Sequence, residues 1–539
     1  MDPYYRLPKY LKEALHHSWA EYFFHHIFSK INEERFAVLF SDKYSRPNTP
    51  VNILVGLLIL KEMNHWIDEE MMGALYFDYR VQYALGITNF ERERLCINTV
   101  SNFRGRLYEY AEEQDRDLLA EEVSALTKEL IAISRMDASL ARQDSFMISA
   151  NCKMMGRLEL IYTVNLDMVK TLNKKDSSLI PGTCKHYLED KDKSNNIYRV
   201  KKEETKSKLG QLLNDSHTLY NAVPQYLHET RAFQNLSRLL EEQTKDLGDG
   251  PTPRDNSEIS ADSLQNPSEP DATYRKKGTK QNIGYVMNTV EARDEEKEMS
   301  MIIHYDQQPN VVSDTELGKK ALDSDLRVDT LVSDGAYYSA ETVKKAAEKD
   351  IELSFTALSG RGAQEDKFGT DEFTIDPDTQ EITCCPGGCK PIEAEYNQEK
   401  ELYTAKFAKT DCASCKASGS CIIKEQKKFN IVRFTEKTLI ADTYRSLLGT
   451  ARHKELGDFR AGVEGIPSVM RRVYDIDNLP VRGLIRSRIW NHCKVMAYNF
   501  RSFFSYFKRI GVNPCSLHFF IRLFGQYFCS VRIEWCYGF

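Results

Sequence analysis

Residues Asp329–Val343 read DTLVSDGAYYSAETV. An apolar run ends at Asp334 and Gly335, and the following SAETVKKAAEKD has the spacing of a helix. The stretch therefore predicts a strand, a tight turn and a helix in succession. Sites in open α/β sheets lie beyond the carboxyl ends of strands, which is where Asp334 falls. An ordinary turn aspartate would look the same, and this stretch alone leaves the two readings level. Outward from it, GYVMNTVEA, MSMIIHYDQQ and IELSFTAL read as strands, and SDTELGKKALDSDL reads as a helix capped by Ser313 or Asp314. The order β-β-α-β-α-β predicts a mixed sheet flanked by helices. A further strand-like segment, ARQDSFMISAN (141–151), carries Asp144, with Asp137 as a nearby competitor for the same role.

The 539 residues suffice for two to four domains. A hydrophobic share of 41% with 28% charged residues indicates a globular protein with sizeable cores. The net charge of −6 excludes a global basic field, so any polyanion partner must be read from local charge. Residues 471–509 supply one such stretch, with nine Lys/Arg against two Asp/Glu. A solvated helix face accounts for that charge equally well. MDPYYRLPKYLKEALHHSW lacks the apolar core of a secretory signal. No apolar run reaches the ~18–20 residues a bilayer span requires, and VNILVGLLIL stops at Lys61. The expected location is the cytoplasm, where the 13 cysteines serve as thiols or metal ligands.

Residues 1–135 read as helical. Thr49 and Pro50 are placed to open VNILVGLLILKEMN as cap and first position. IDEEMMGALYFDYRVQYALGI stops at Gly86. The stretch from Asn98 to Ser134 reads as a capped helix running into a long amphipathic one. Short helices joined by short turns, one bearing Asn102, Arg104 and Arg106, fit a helix-turn-helix-like module or, equally, a dimerisation bundle. Residues 170–270 form a polar insertion, helical in its centre with a break at Pro224, and its Gly/Pro/Ser-rich end, DLGDGPTPRDNSEISADSLQNPSEPDATYRKKGTKQ (246–281), reads as loop or partly disordered. Residues 365–450 form a cysteine-rich insertion, and 511–539 an aromatic tail.

Two constellations carry chemistry. The first is Asp144, Asp334 and Glu464, the last in FRAGVEGIPSVMRR (459–472). If a fold brings them together, three carboxylates suit Mg²⁺ or Mn²⁺ and phosphodiester chemistry. Arg460 and Arg471 fall near the same helix face as Glu464 and would clamp phosphates beside the metals, or Arg460 and Glu464 form a plain surface ion pair. The second lies in TCCPGGCKP and DCASCKASGSC: Cys385 with Cys389, and Cys412 with Cys415, Cys384 and Cys421 being alternates. Two knuckle-like pairs suit a structural tetrahedral Zn²⁺ in a zinc-ribbon-like subdomain; the plain alternative is a set of free thiols.

The ordered set TPVNILVGLLILKEMNHWIDEEMMGAL, NTVSNFRGRL, QDSFMISANCKMMGRLELIY, PDATYRKKGTKQNIGYVMNTVEA, LVSDGAYYS, the cysteine cluster and FRAGVEGIPSVMRR resembles the DDE transposases of bacterial insertion sequences. The branch resembled has an InsH-like N-terminal domain and a cysteine-bearing insertion before the final glutamate, and the likeness spans about 10–510. It implies a ribonuclease-H-like catalytic domain over 136–510 and an N-terminal DNA-binding or dimerisation domain. It makes Asp144, Asp334 and Glu464 a triad holding two Mg²⁺ or Mn²⁺. Arg460 fits the arginine of the Y-R-E-K signature, Arg471 takes its lysine position, and Gly457 stands where the signature has tyrosine. Arg472, Arg104 and Arg106 join the expected DNA contacts. The implied partners are terminal inverted repeats and target DNA, bound by a homodimer on the nucleoid. Rival expectations are a non-enzymatic DNA-binding relic and a ribonuclease-H-like nuclease without strand transfer.

Overall fold

The computed structural model describes residues 3–40, 49–88, 95–245, 251–358 and 367–515. Its centre is a six-stranded mixed sheet: β1 (Leu140–Ser149), β2 (Thr273–Lys277), β3 (Lys280–Asp294), β4 (Met299–Pro309), β5 (Thr330–Ser333) and β6 (Glu352–Phe355). The path runs β2-β3-β1-β5-β6, and β4 also pairs with β3. The contacts β3–β1, β2–β3 and β3–β4 are antiparallel, whereas β1–β5 and β5–β6 are parallel. The parallel pair β5–β6 is joined through a helix, the kind of crossover that parallel strands require. Helices Asp314–Asp323 and Ala340–Ala347 cover one face, capped by Ser313 and Ser339, whose hydroxyls accept the N–H of Glu316 and Thr342.

The other face is shared with the N-terminal helices and the long helix Leu484–Ile510, which together bury one continuous core. Asn499 of that helix accepts the Ile302 N–H at 2.8 Å and donates to its carbonyl at 2.9 Å. It thereby satisfies the outward backbone groups of β4, an edge that would otherwise be open to foreign strands. Of the nine cations in 471–509, Arg471, Arg472, Arg482, Arg486, Lys508 and Arg509 are exposed, whereas Arg488, Lys494 and Arg501 are drawn into the packing. Lys494 is buried between Glu62 (2.6 Å) and the Tyr474 carbonyl, Arg488 faces Asp117 at 3.4 Å, and Arg501 binds the Met63 carbonyl. These three hold the helix in place, and the exposed ones keep positive charge at the surface.

Several boundaries also differ from expectation. Helix Val51–Asn64 begins after Pro50, whose ψ of 131° is still extended, so Thr49 is not its cap. The segment 68–87 forms two helices, Asp68–Phe77 and Tyr79–Ala84, because Asp78 stops one and caps the next; Gly86 ends it at φ +61°. The stretch after residue 97 is also two helices, Ile97–Gln114 and Leu118–Ser134. Asp115 turns left-handed between them, and Asp117 caps the second through the Ala120 N–H. The inserted unit starts near Arg157 rather than 170. Its helices Arg157–Lys175, Thr205–Ala222 and Arg231–Gln243 enclose a separate core that includes Ile161, Leu213, Leu236 and Leu264. The expected break at Pro224 is present. Its Gly/Pro-rich end is mostly exposed over 251–262 but packed over 263–270, where Glu269 is buried, accepting from Tyr285 Oη (2.9 Å) and the Gly483 N–H (2.6 Å). Thr273–Lys277, expected as loop, is strand β2. Residues 516–539 of the aromatic tail lie outside the described residues.

The cysteine-rich segment folds as a small unit with a core around Phe373, Tyr403, Phe407 and Phe434. A four-stranded antiparallel sheet, Glu393–Asn397, Leu402–Phe407, Asn430–Thr435 and Lys424–Glu425, forms its body. Among the described residues, no helix is long and apolar enough to cross a membrane.

Candidate active site

Asp144 lies mid-strand in β1, and Asp334 follows the last residue of β5. Because β1 and β5 pair in parallel, with Arg142 opposite Val332, the two acids leave the sheet on neighbouring strands. Gly335 makes the turn after Asp334 possible: a Cβ there would meet the Ala357 carbonyl oxygen at 2.1 Å, so a larger residue would push the turn away. Behind the acids, Gln143 donates to Asn288 at 3.2 Å, Ser333 donates to Gln143 at 3.3 Å, and Tyr337 donates to Asn288 at 2.9 Å. This buried polar network leaves β1 and β5 little freedom to slide.

Arg460 brings the acids to one point. Its Nη2 donates to Asp144 Oδ1 at 3.0 Å and stands 3.7 Å from Asp334 Oδ2. Its Nε is buried without a hydrogen-bond partner among the described residues. Burial pushes the Asp144 carboxyl above the ordinary aspartate range; Arg460, the Ser145 N–H and Lys277 pull it back, and Asp334 adds to the rise.

Glu464 is reached by the same segment, but not on one helix. Ala451–Ala461 is helical, Gly462–Glu464 is a tight 3₁₀ turn, and Gly465–Arg472 is a new helix. The helix-face alignment of Arg460, Glu464 and Arg471 is therefore broken, since the turn changes the phase of the side chains. Glu464 is exposed. The turn is seated on β1 by Arg142, which is buried, donates Nε to Glu291 at 2.6 Å and donates Nη1 to the Phe459 carbonyl at 2.7 Å. Gly462 fits because a Cβ would meet Arg142 Nη1 at 2.3 Å. Sequence reading missed Arg142; its position two residues before Asp144, on the same side of a strand, was the available signal.

The remaining expected phosphate contacts divide. Arg472 and Arg106 are exposed, Arg106 over the Phe40 ring. Arg471 is tied to Asp477 (3.0 Å) and the Met147 carbonyl (2.6 Å), so it clamps the end of β1. Arg104 is buried, bidentate with Asp68 at 2.8 and 2.9 Å and stacked on Trp490 at 4.6 Å. Its side chain serves the joint between the N-terminal helices and helix Leu484–Ile510.

Cys385, Cys389, Cys412, Cys415 and Cys421 line one cavity of about 430 Å³. The Cys389 N–H donates to Cys385 Sγ at 3.3 Å. Burial, then the neighbouring thiols of Cys385, Cys415 and Cys412, push the Cys389 thiol up to about 11. Cys384 does not line the cavity and turns to the Cys385 carbonyl. Five soft donors around one space fit a thiophilic cation in kind, and two convergent carboxylates fit a hard one. Among the described residues, however, no three His, Cys, Asp or Glu side chains stand close enough to hold a metal ion as they are arranged.

Two segments match known families. Residues 384–504 match the family described as Transposase DDE domain, and residues 13–106 match Transposase domain (DUF772). The first match contains Arg460, Glu464 and the cysteines; the second covers most of the N-terminal helices. Together they support a DDE transposase of insertion-sequence type. No curated protein and no solved structure matches the chain.

Proposed function

We propose that the protein is a DNA transposase that cuts phosphodiester bonds at transposon ends and joins the freed 3′-hydroxyl to target DNA. The observation that carries the reading is the convergence of Asp144 and Asp334 on one guanidinium. Carboxylates held this close repel one another and need a cation between them. Asp144 and Asp334, with Glu464 from the adjoining turn, are the residues that would hold Mg²⁺ or Mn²⁺ on a ribonuclease-H-like sheet. Such ions, when bound, supply a more acidic water or hydroxyl and charge neutralisation at the leaving oxygen. Arg460 then turns its guanidinium to a phosphate, for which its planar fork is suited. Arg472 and Arg106 add exposed positive charge for the DNA backbone.

Cys385, Cys389, Cys412 and Cys415, with Cys421 beside them, are the donors for a structural Zn²⁺ that would tighten the small sheet domain. Two ends must be cut together, so the working form is a homodimer on DNA. The test is a supercoiled plasmid carrying candidate ends, incubated with Mg²⁺ and with a target plasmid. Wild type gives nicked and joined products, and Asp334→Ala gives neither. Equal behaviour of the two proteins across several ends overturns the catalytic assignment; cleavage without joining leaves a nuclease in its place.

A further inference from the structure

β2 and β3 close a hairpin whose tip reads RKKGTK, Arg275–Lys280. The turn is two residues long, Gly278–Thr279, with Gly278 at φ +62°, the left-handed start that tight hairpins favour. Lys276, Lys277 and Lys280 are exposed, and none has an acidic partner within ion-pair distance among the described residues. Lys277 and Lys280 are directly opposed across the hairpin. Like charges in that position destabilise a strand pair, so the sequence here works against its own local fold. In a chain of net charge −6, four cations in six residues without an acid form a local field of the opposite sign.

The root of the hairpin is fixed close to the acid pair. Arg275 Nη2 stands 3.5 Å from Asp314 Oδ2, and Asp314 Oδ1 accepts Ser145 Oγ at 2.5 Å. Ser145 is the residue after Asp144, and Arg275 also donates to the Asn310 carbonyl at 3.4 Å. A chain of three side chains thus joins the basic tip to the strand that carries Asp144. Lys277 is near enough for its charge to act on the Asp144 carboxyl.

We infer that the Arg275–Lys280 hairpin is a DNA-backbone clamp, with Lys276, Lys277 and Lys280 holding phosphates beside the bond presented to Asp144 and Asp334. A polyanion relieves the Lys277–Lys280 repulsion, which gives the opposed pair a physical reason. The contact reads no bases and is sequence-independent. The inference rests on the reading that the acid pair acts on DNA.

The test compares wild type with the Lys276→Ala/Lys277→Ala/Lys280→Ala variant on a short linear duplex of arbitrary sequence, by fluorescence anisotropy across a salt series. Each lost phosphate contact lowers the slope of log affinity against log salt by about 0.9. The expected result is a slope smaller by about 2–3 and an affinity at least roughly tenfold weaker at low salt. Thermal melting and Mn²⁺ titration should match wild type, showing a folded protein with an intact acid pair. An unchanged slope in the variant, with wild type still cutting plasmid, overturns the hairpin alone. Failure of wild type to cut any plasmid with Mg²⁺ overturns the acid-pair reading, and the clamp with it.

Discussion

Arg460 and Asp144 are joined by one 3.0 Å hydrogen bond that leaves the arginine's Nε buried and unpartnered among the described residues. The same Nη2 lies 3.7 Å from Asp334, so one guanidinium neutralises both acids. On the proposed function, a divalent ion would take the place of this cation. Removing it by Arg460→Ala should tighten Mn²⁺ binding at least roughly threefold, a fraction of the Coulomb energy at this distance because Asp334 is half exposed. DNA cleavage should fall by roughly 10² or more as the phosphate loses its partner. Mn²⁺ titration followed by the signal of the free ion separates the two effects. Weaker Mn²⁺ binding in Arg460→Ala would show that the arginine supports the metal rather than standing in for it.

The turn bearing Glu464 depends on the space left by Gly462. Gly462→Ala places a methyl carbon against Arg142 Nη1, whose partner Glu291 is itself buried and cannot follow. Overpacking of this kind costs about 1–3 kcal/mol, and chemical denaturation should read it. Cleavage should fall by more than the loss of folded protein explains, because the displaced turn carries Glu464. A Gly462→Ala protein with wild-type stability and activity would remove Arg142 from the account.

Asp117 links the sheet-covering helices. Its carboxylate caps Leu118–Ser134, lies 3.1 Å from His492 Nε2 and faces Arg488. Burial raises its carboxyl, but His492, the Ala120 N–H and Arg488 outweigh that and hold it at about 2. A folded-state value below the ordinary ~3.9 means the folded protein favours the ionised form. The stabilisation is present above that ordinary value and is lost as pH falls through about 2. Asp117→Asn should therefore cost roughly 2–3 kcal/mol at pH 7, with the gap to wild type closing in acid. Urea titrations at a series of pH values provide the check; a pH-independent gap would mean the loss is packing alone.

The thiol cavity gives a prediction with its own sign. The Cys389 thiol is protonated at neutral pH, being pushed up to about 11, so any Zn²⁺ that binds must displace its proton. Zn²⁺ affinity should then rise with pH, and Zn²⁺ should shield Cys385, Cys389, Cys412 and Cys415 from alkylation. Cys412→Ser should abolish the shielding at the remaining three. Alkylation of these thiols at the same rate with and without Zn²⁺ would return them to the plain alternative of free thiols.

Most of the sheet was legible because its strands alternate with helices, and Ser313 and the break at Asp334 announce themselves locally; β2 was not, since its Lys-rich hairpin has the composition of a loop. The pairing of Asp144 with Asp334 was not, since it depends on β1 and β5 lying parallel across nearly 190 residues. The long helix Leu484–Ile510 was legible as charged, but not which of its cations face solvent. Charge alone cannot separate an arginine facing solvent from one such as Arg488 or Arg501 that is bound to a partner from another segment. FRAGVEGIPSVMRR has helical spacing throughout, yet the Arg142 contact selects a tight turn at Gly462, a tertiary preference that overrides propensity. Arg104 had the look of a nucleic-acid contact until Asp68, on a separate helix, claimed both its nitrogens.

The helix Leu484–Ile510 lends its side chains to the first hundred residues and to β4 alike, through Lys494 on Glu62 and Asn499 on Ile302. The consequence concerns synthesis. The core shared by the amino-terminal bundle and the sheet is complete only once the ribosome has delivered this helix. Prematurely terminated products lack that strut, so they should be cleared by proteolysis instead of persisting as truncated chains.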